Sequence, residues 1–209
     1  IILGGGITFS GQSDSFNASL AVTASQTYTA ANKLTIASAS ILDGRKIIGG
    51  AGAEIVITGA IASQDLSQID IEGGITFTGD SGSFAPTLIS SANQTYKTTA
   101  ELTCTDADKV SGKKITNGDS SGSMSFSGAV GTVDLDEITL GNGVTFAGTS
   151  ASFNATLSTS QAYTTTVKLT TTSASIFNGI NMTGSGSIDM NSAVTNQDFD
   201  SISVDGDFT

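Results

Sequence analysis

The side chains best able to do chemistry in this sequence are its carboxylates, which gather in three clusters. The clusters are Asp106/Asp108, Asp134/Asp136/Glu137 and Asp198/Asp200/Asp205/Asp207. Paired carboxylates can act as general acid and base or hold calcium, usually with His, Arg or Lys close by. The chain has no His, and its one arginine, Arg45, is remote from the clusters in sequence. We therefore predict no catalytic site, no metal site and no cofactor.

The chain's single cysteine, Cys104, is the other candidate nucleophile. It follows the apolar Leu102 by two residues, which in a strand places both side chains on the same face. A nucleophilic thiol needs a nearby base, and no His is present to supply one. We predict that Cys104 is a buried thiol that packs as a small hydrophobic group.

The carboxylates belong to a longer pattern that the chain repeats three times. The phrase Gly-Ile/Val-Thr-Phe begins its apolar part at Ile7, Ile75 and Val144, so the copies are almost evenly spaced. Further matching residues follow in one order: Phe16/Phe84/Phe153, Gln26/Gln94/Gln161, Tyr28/Tyr96/Tyr163, Leu34/Leu102/Leu169, Gly44/Gly112/Gly179 and Asp65/Asp134/Asp198. A fixed period of this kind indicates a repeat architecture. We place the repeats at 3–70, 71–139 and 140–203, with a further one starting at 204–209, in a single solenoid of residues 1–209.

The elements that carry this pattern are short strands. Apolar residues alternate with small polar ones at Ile7/Phe9, Leu34/Ile36, Ile55/Ile57 and Ile69/Ile71, and along 16–22. Alternation with a period of two is a strand signal, and no stretch of useful length has helical spacing. The prediction is an all-β chain with the apolar side chains inward. The matching threonines Thr8, Thr76 and Thr145 should point outward, and the three tyrosines should carry their hydroxyls at the surface.

The strands could form three separate β-sandwiches or one continuous solenoid. Alternation runs through the join at 68–74 without a linker, which favours the solenoid. Pairs such as Asn117-Gly118 mark corners, and Pro86 should lie at a corner or a strand start. From this spacing we expect about 22 residues per coil, three coils per repeat and about nine to ten coils. Matching aspartates such as Asp65 and Asp134 would then lie roughly 14 Å apart, too far to share a calcium ion.

The composition excludes two classes of partner. The net charge is −11, which would repel the phosphate backbone of a nucleic acid. No apolar run is long enough to cross a bilayer, so we predict no membrane insertion.

Several phrases resemble the repeats of filamentous-haemagglutinin-like bacterial exoproteins. They are the segments 75–79, 92–96 and 124–131, which combine aromatic-glycine turns with a recurring Gln-Thr-Tyr phrase. The resemblance covers all three repeats and implies a right-handed parallel β-helix in the stalk of a two-partner-secretion or autotransporter adhesin. It further implies an extracellular or cell-surface location and a host-cell or matrix receptor, either carbohydrate or protein. The Asn-Pro motifs of that family's secretion domain are missing from this sequence.

We therefore expect a non-catalytic structural stalk or scaffold segment of a long adhesin. The alternatives are a self-stacking extracellular filament subunit and a carbohydrate-binding or carbohydrate-active β-helix. Both ends break off inside a strand region, so we expect continuation there by the same chain or by head-to-tail copies. Four Asn-x-Ser/Thr sequons are acceptors for N-glycosylation and should be exposed: Asn17, Asn93, Asn154 and Asn181.

Overall fold

The fold is all-β, as the alternation predicts. A computed structural model of the chain describes residues 5–23, 25–91, 93–117 and 119–209. Residues 1–4 and Gly118, which supported the predictions for the first end and for one corner, lie outside these ranges. The strands are β1 Ile7–Phe9, β2 Thr27–Ala30, β3 Lys33–Ile36, β4 Lys46–Gly49, β5 Glu54–Ile57, β6 Asp65–Leu66, β7 Ile69–Ile71, β8 Ile75–Phe77, β9 Ser81–Phe84, β10 Thr87–Leu88, β11 Thr95–Thr98, β12 Glu101–Cys104, β13 Lys114–Asn117, β14 Ser123–Phe126, β15 Ile138–Thr139, β16 Val144–Phe146, β17 Ala162–Thr165, β18 Lys168–Thr171, β19 Asn181–Gly184, β20 Ser187–Met190 and β21 Ile202–Val204.

These strands stack as the coils of a β-solenoid. Three long sheets have the orders β1-β2-β4-β7, β3-β5-β8-β11-β13-β15 and β9-β12-β14-β16-β17-β19-β21, and two further pairs are β6-β10 and β18-β20. Within the described ranges every strand pairing is parallel. Short 3-10 turns at Ala39–Ile41, Ala107–Lys109 and Ala174–Phe177 form matching corners in the three repeats.

One sequence repeat is longer than three coils: it covers three full coils and then one more of the three sides of the solenoid. In the first sheet, Ile7 pairs with Tyr28, Tyr28 with Ile47 and Ile47 with Ile69, which makes three coils. Ile75, which matches Ile7 in sequence, comes shortly afterwards and begins β8 in the second sheet. The matching residue has therefore moved to the next side.

The second repeat makes the same move. Ile75 pairs with Tyr96, Tyr96 with Ile115 and Ile115 with Ile138. Val144, the third match, then begins β16 in the third sheet.

The prediction of three coils per repeat was wrong, because the coils differ in length and are on average shorter than predicted. The coil from Tyr28 to Ile47 is a short one (47 − 28 = 19), whereas the coil from Ile115 to Ile138 is a long one (138 − 115 = 23). Three repeats of three and a third coils give about ten coils, roughly 48 Å at the usual strand spacing.

The predicted alternation is confirmed in the interior. Ile75 and Phe77 are buried, as are Val144 and Phe146, while Thr8 is exposed. Thr76 lies on the outward face between Ile75 and Phe77, as predicted, but it is only 7% exposed. Its hydroxyl donates a hydrogen bond to Glu54 Oε1 at 3.0 Å, so the side chain of the preceding coil covers it.

The predicted strand along 16–22 is absent, and Val22 is 59% exposed. At its start, Phe16 N–H donates to the Thr35 carbonyl of β3 at 2.7 Å, and beyond that bond side chains bind the backbone of this segment. The N–H of Ala21 donates to the Tyr28 hydroxyl at 2.7 Å, and Arg45 donates from Nη2 to the Leu20 carbonyl at 3.0 Å. The segment therefore crosses the side of the solenoid as an irregular loop that two side chains hold in place. Pro86 directly precedes β10, as predicted.

Cys104 is fully buried, which agrees with its predicted packing role. Burial raises the pKa of its thiol to about 11, although the thiol also hydrogen-bonds the Asp106 carbonyl at 3.1 Å.

We expect the Cys104 thiol to react with a disulfide reagent at least about 100-fold more slowly in the folded chain than in denaturant. The raised pKa alone lowers the thiolate fraction by about that factor near neutral pH. Because the folded pKa lies above the unfolded one, the group favours folding below the unfolded pKa. This contribution is lost as pH rises toward 11. Equal rates in native buffer and in denaturant would contradict the buried placement.

Candidate functional site: contacts that join successive coils

The repeated aromatic residues form three copies of one unit, which is buried in the second and third repeats and partly buried in the first. In each copy a Phe stacks on a Tyr of the next coil, with ring centroids 5.9 Å apart for Phe9–Tyr28 and 5.7 Å for Phe146–Tyr163. The same Phe makes an edge contact with a second Phe, at 5.1 Å for Phe146–Phe153. Both geometries suit the quadrupoles of aromatic rings. The phrase that defines the repeat therefore supplies the contacts between its coils.

The predicted surface position of the tyrosine hydroxyls was wrong. Tyr28, Tyr96 and Tyr163 are each at most 2% exposed. The Tyr28 hydroxyl accepts from Ala21 N–H, and the Tyr163 hydroxyl accepts from Ser158 N–H at 2.9 Å. Burial raises the pKa of Tyr163 to about 12. Each tyrosine thus fills the core and binds the irregular loop that precedes it.

Two of the recurring glutamines, Gln94 and Gln161, replace missing strand pairings inside the solenoid. Gln94 is 1% exposed, and its Oε1 accepts a hydrogen bond from Ile71 N–H at 2.9 Å. Gln161 accepts in the same way from Leu140 N–H at 2.6 Å. The side-chain amides also donate to backbone carbonyls, including Gln94 Nε2 to Thr95 at 3.0 Å. Gln26 makes the matching bond to Thr27 at 3.0 Å.

Replacement of Gln94 by alanine should lower the free energy of unfolding by about 2 kcal/mol, because the buried Ile71 N–H loses its acceptor. Replacement of the neighbouring exposed Asn93 by alanine is the matched control and should change it by less than about 0.5 kcal/mol. Urea unfolding of the whole chain measures both. Equal midpoints for the two variants would show that the glutamine amide does not carry this contact.

The recurring glycine and aspartate form a contact between coils that we call the corner clamp. Its three copies are Asp43-Gly44 with Asp65, Ser111-Gly112 with Asp134, and Asn178-Gly179 with Asp198. In each, the glycine has a positive φ, and its N–H donates to the aspartate carbonyl, at 2.8 Å in the third copy. The aspartate N–H donates back to the side chain before the glycine, at 2.7 Å for Asn178 Oδ1. Sequence reasoning read these pairs only as turns, since the partner lies about one coil away.

The aspartate side chains of the clamps shape turns. Asp65 Oδ1 accepts from Ser67 N–H at 2.9 Å, and Asp198 Oδ1 accepts from Asp200 N–H at 3.0 Å. A carboxylate that binds the N–H two residues ahead is a common turn device. Among the described residues, no group of three or more His, Cys, Asp or Glu side chains could hold a metal ion.

One acidic cleft comes nearest to acid–base chemistry. Asp134, Asp136 and Glu137 line it together with Lys114 and two serines. Partial desolvation, followed by the hydrogen bond and charge of Asp134 and the charge of Glu137, raises the pKa of Asp136. All three carboxylate residues are exposed at a corner, and Asp134 Oδ1 is engaged with Asp136 N–H at 3.3 Å. The cleft is open to water along the surface.

The four sequon asparagines, Asn17, Asn93, Asn154 and Asn181, are all exposed. Asn154 Nδ2 donates to Thr132 Oγ1 at 3.3 Å on the preceding coil. Their modification stays a prediction. Because matching residues of successive repeats lie on different sides, the repeat does not build a regular array of one side chain along any side of the solenoid.

Comparisons with known proteins find no match to this chain: no family model, no curated protein and no solved structure. Across the described ranges, no helix has the length and apolar character needed to span a membrane.

Proposed function

We propose that this chain is a structural stalk or scaffold segment of a long secreted or surface-exposed bacterial adhesin, and that it has no catalytic role. The observation that carries the proposal is the use of the repeated residues. The matching aromatic residues, glycines and aspartates join one coil to the next, and so do the glutamines Gln94 and Gln161. A sequence that repeats its coil-joining contacts, and varies the exposed residues between them, is the pattern of a spacer.

The solenoid suits this role mechanically. Each coil bonds to its neighbours by parallel ladders, and one core runs through the stack. The net charge of −11 opposes lateral aggregation of such rods. The adhesin, its receptor and its location outside the cell rest on the resemblance of the repeats.

The location is tested on intact cells that produce the protein. Brief treatment with a protease that does not enter cells, followed by blotting with an antibody against this segment, should remove the signal. A cytoplasmic marker protein should remain and serves as the control. Loss of the segment only after lysis would overturn the surface location and leave the solenoid itself unaffected.

The absence of catalysis is tested separately. The folded chain is incubated with a panel of acidic and neutral polysaccharides, and new reducing or unsaturated ends are measured. We expect no turnover above buffer. Turnover that disappears in an Asp136→Asn variant would overturn the scaffold proposal in favour of a carbohydrate-active β-helix with its site in the acidic cleft.

A further inference from the structure

We propose that Asn178-Gly179 is a deamidation site that the corner clamp keeps closed, so that it is modified when this corner opens. In deamidation the glycine nitrogen attacks Cγ of the asparagine side chain. A nitrogen–carbon bond forms, the bond from Cγ to the amide nitrogen breaks, and ammonia leaves with the proton from the glycine nitrogen. Water then opens the cyclic imide to aspartate or isoaspartate. Asn-Gly is prone to this reaction because glycine lacks a side chain to hinder ring closure and adopts many conformations.

The clamp holds both reacting groups away from the reactive geometry. The Gly179 N–H donates to the Asp198 carbonyl at 2.8 Å, and Asn178 Oδ1 accepts from Asp198 N–H at 2.7 Å. Ring closure requires the glycine nitrogen to lie next to Cβ of the asparagine. An L-asparagine reaches this arrangement only when its own ψ is strongly negative. Asn178 has ψ 117, on the opposite side. The reaction therefore requires rotation of this peptide and the loss of both clamp bonds.

Protection at this site is conformational, since both residues are exposed to water and base. The matching clamp in the first repeat predicts what the products do. There Asp43 Oδ1 accepts from Asp65 N–H at 2.7 Å, so an aspartate fits the clamp. Isoaspartate instead adds a methylene to the main chain before Gly179, which displaces the glycine N–H from its acceptor.

The whole chain provides an internal comparison. Asn142-Gly143 is held differently: Gly143 N–H donates within its own turn, to Leu140 at 3.1 Å. Cleavage after Lys168 places Asn178 in the peptide 169–209, and Asn142 falls in the peptide 115–168. Mass spectrometry can therefore follow conversion of amide to acid at Asn178 separately. The peptide 115–168 also contains Asn117-Gly118, so fragment ions assign its conversion to Asn142 or to Asn117.

The experiment incubates the folded chain and the urea-unfolded chain at the same mildly alkaline pH. We expect Asn178 to convert at least about 10-fold more slowly in the folded chain, as for any group that reacts only after local opening. Equal rates in the two states would overturn the proposal.

Two variants separate the clamp from general stability. Phe199→Ala removes the ring that packs on Phe208 beside the clamp, with centroids 5.3 Å apart. It should speed conversion at Asn178 several-fold and leave Asn142 unchanged. Equal acceleration at both sites in a variant that remains folded would overturn the proposal. If Phe199→Ala unfolds, the parent chain is used instead, and hydrogen exchange of the Gly179 N–H is measured as urea is raised. The rate of exchange and the rate of conversion at Asn178 should rise together, and conversion that rises without exchange would overturn the proposal. Asn178→Asp should keep the unfolding midpoint, and a large drop would refute the fit of the aspartate product.

Discussion

Replacement of Phe146 by alanine should lower the free energy of unfolding by about 3–5 kcal/mol, the range for deleting a buried aromatic ring. Phe146 is fully buried. Its ring stacks on Phe126 at 5.9 Å and on Tyr163 at 5.7 Å, and it meets Phe153 edge-on at 5.1 Å. Strands of the coils on both sides pair with its own strand, so the cavity cannot close by movement of one loop. Urea unfolding, followed by circular dichroism, measures the loss.

Phe9 is the matched control, because it holds the same place in the first repeat. It makes the same two kinds of ring contact, at 4.9 Å to Phe16 and 5.9 Å to Tyr28, but it is only partly buried. Phe9→Ala should therefore cost about 2 kcal/mol or less, since less apolar surface returns to water. If Phe9→Ala lowers the free energy of unfolding as much as Phe146→Ala does, the ring contacts within the aromatic unit account for the loss. Burial by coils on both sides would then not be the cause.

The sequence predicts the interior well and the path of the chain poorly. Alternation places Leu34, Ile55 and Ile75 inward because side chains of a strand point to opposite faces by turns, and the structure pairs these three in one column. How many coils fill a repeat depends on the residues used at each corner. Because that number changes from coil to coil, turn signals alone cannot show where in the sequence each coil begins and ends.

The contacts between coils show the same limit. Gly44 was recognisable as a turn residue, but its partner Asp65 lies about one coil away and becomes visible only when the register is known. The buried glutamines were noted as recurring, and nothing in their neighbours reveals that Gln94 takes the place of a strand. The alternation along 16–22 likewise pointed to a strand, so it could not show that this segment is a loop whose backbone binds the Tyr28 hydroxyl.

Replacement of Gly128 by alanine should cost about 3 kcal/mol, at the upper end of the penalty for overpacking. A Cβ at this position would lie 2.1 Å from the Thr105 carbonyl oxygen of the preceding coil. That oxygen belongs to the backbone and cannot move aside as a flexible side chain would. The two coils would have to separate at this corner, next to the bond from Ser127 N–H to the Cys104 carbonyl at 3.0 Å.

The matched control for Gly128→Ala is Gly131→Ala, slightly further along the same coil. Gly131 is exposed, and a Cβ there meets no atom within 4 Å, so this variant should unfold at the parent midpoint. Urea unfolding compares the two variants, and reaction of the Cys104 thiol supplies a local second measurement. Separation of the coils at the Gly128 corner should expose the thiol, so Gly128→Ala should react faster than Gly131→Ala in native buffer. If both variants keep the parent midpoint and the slow thiol reaction, the close approach of the two coils at this corner is not a constraint on the fold.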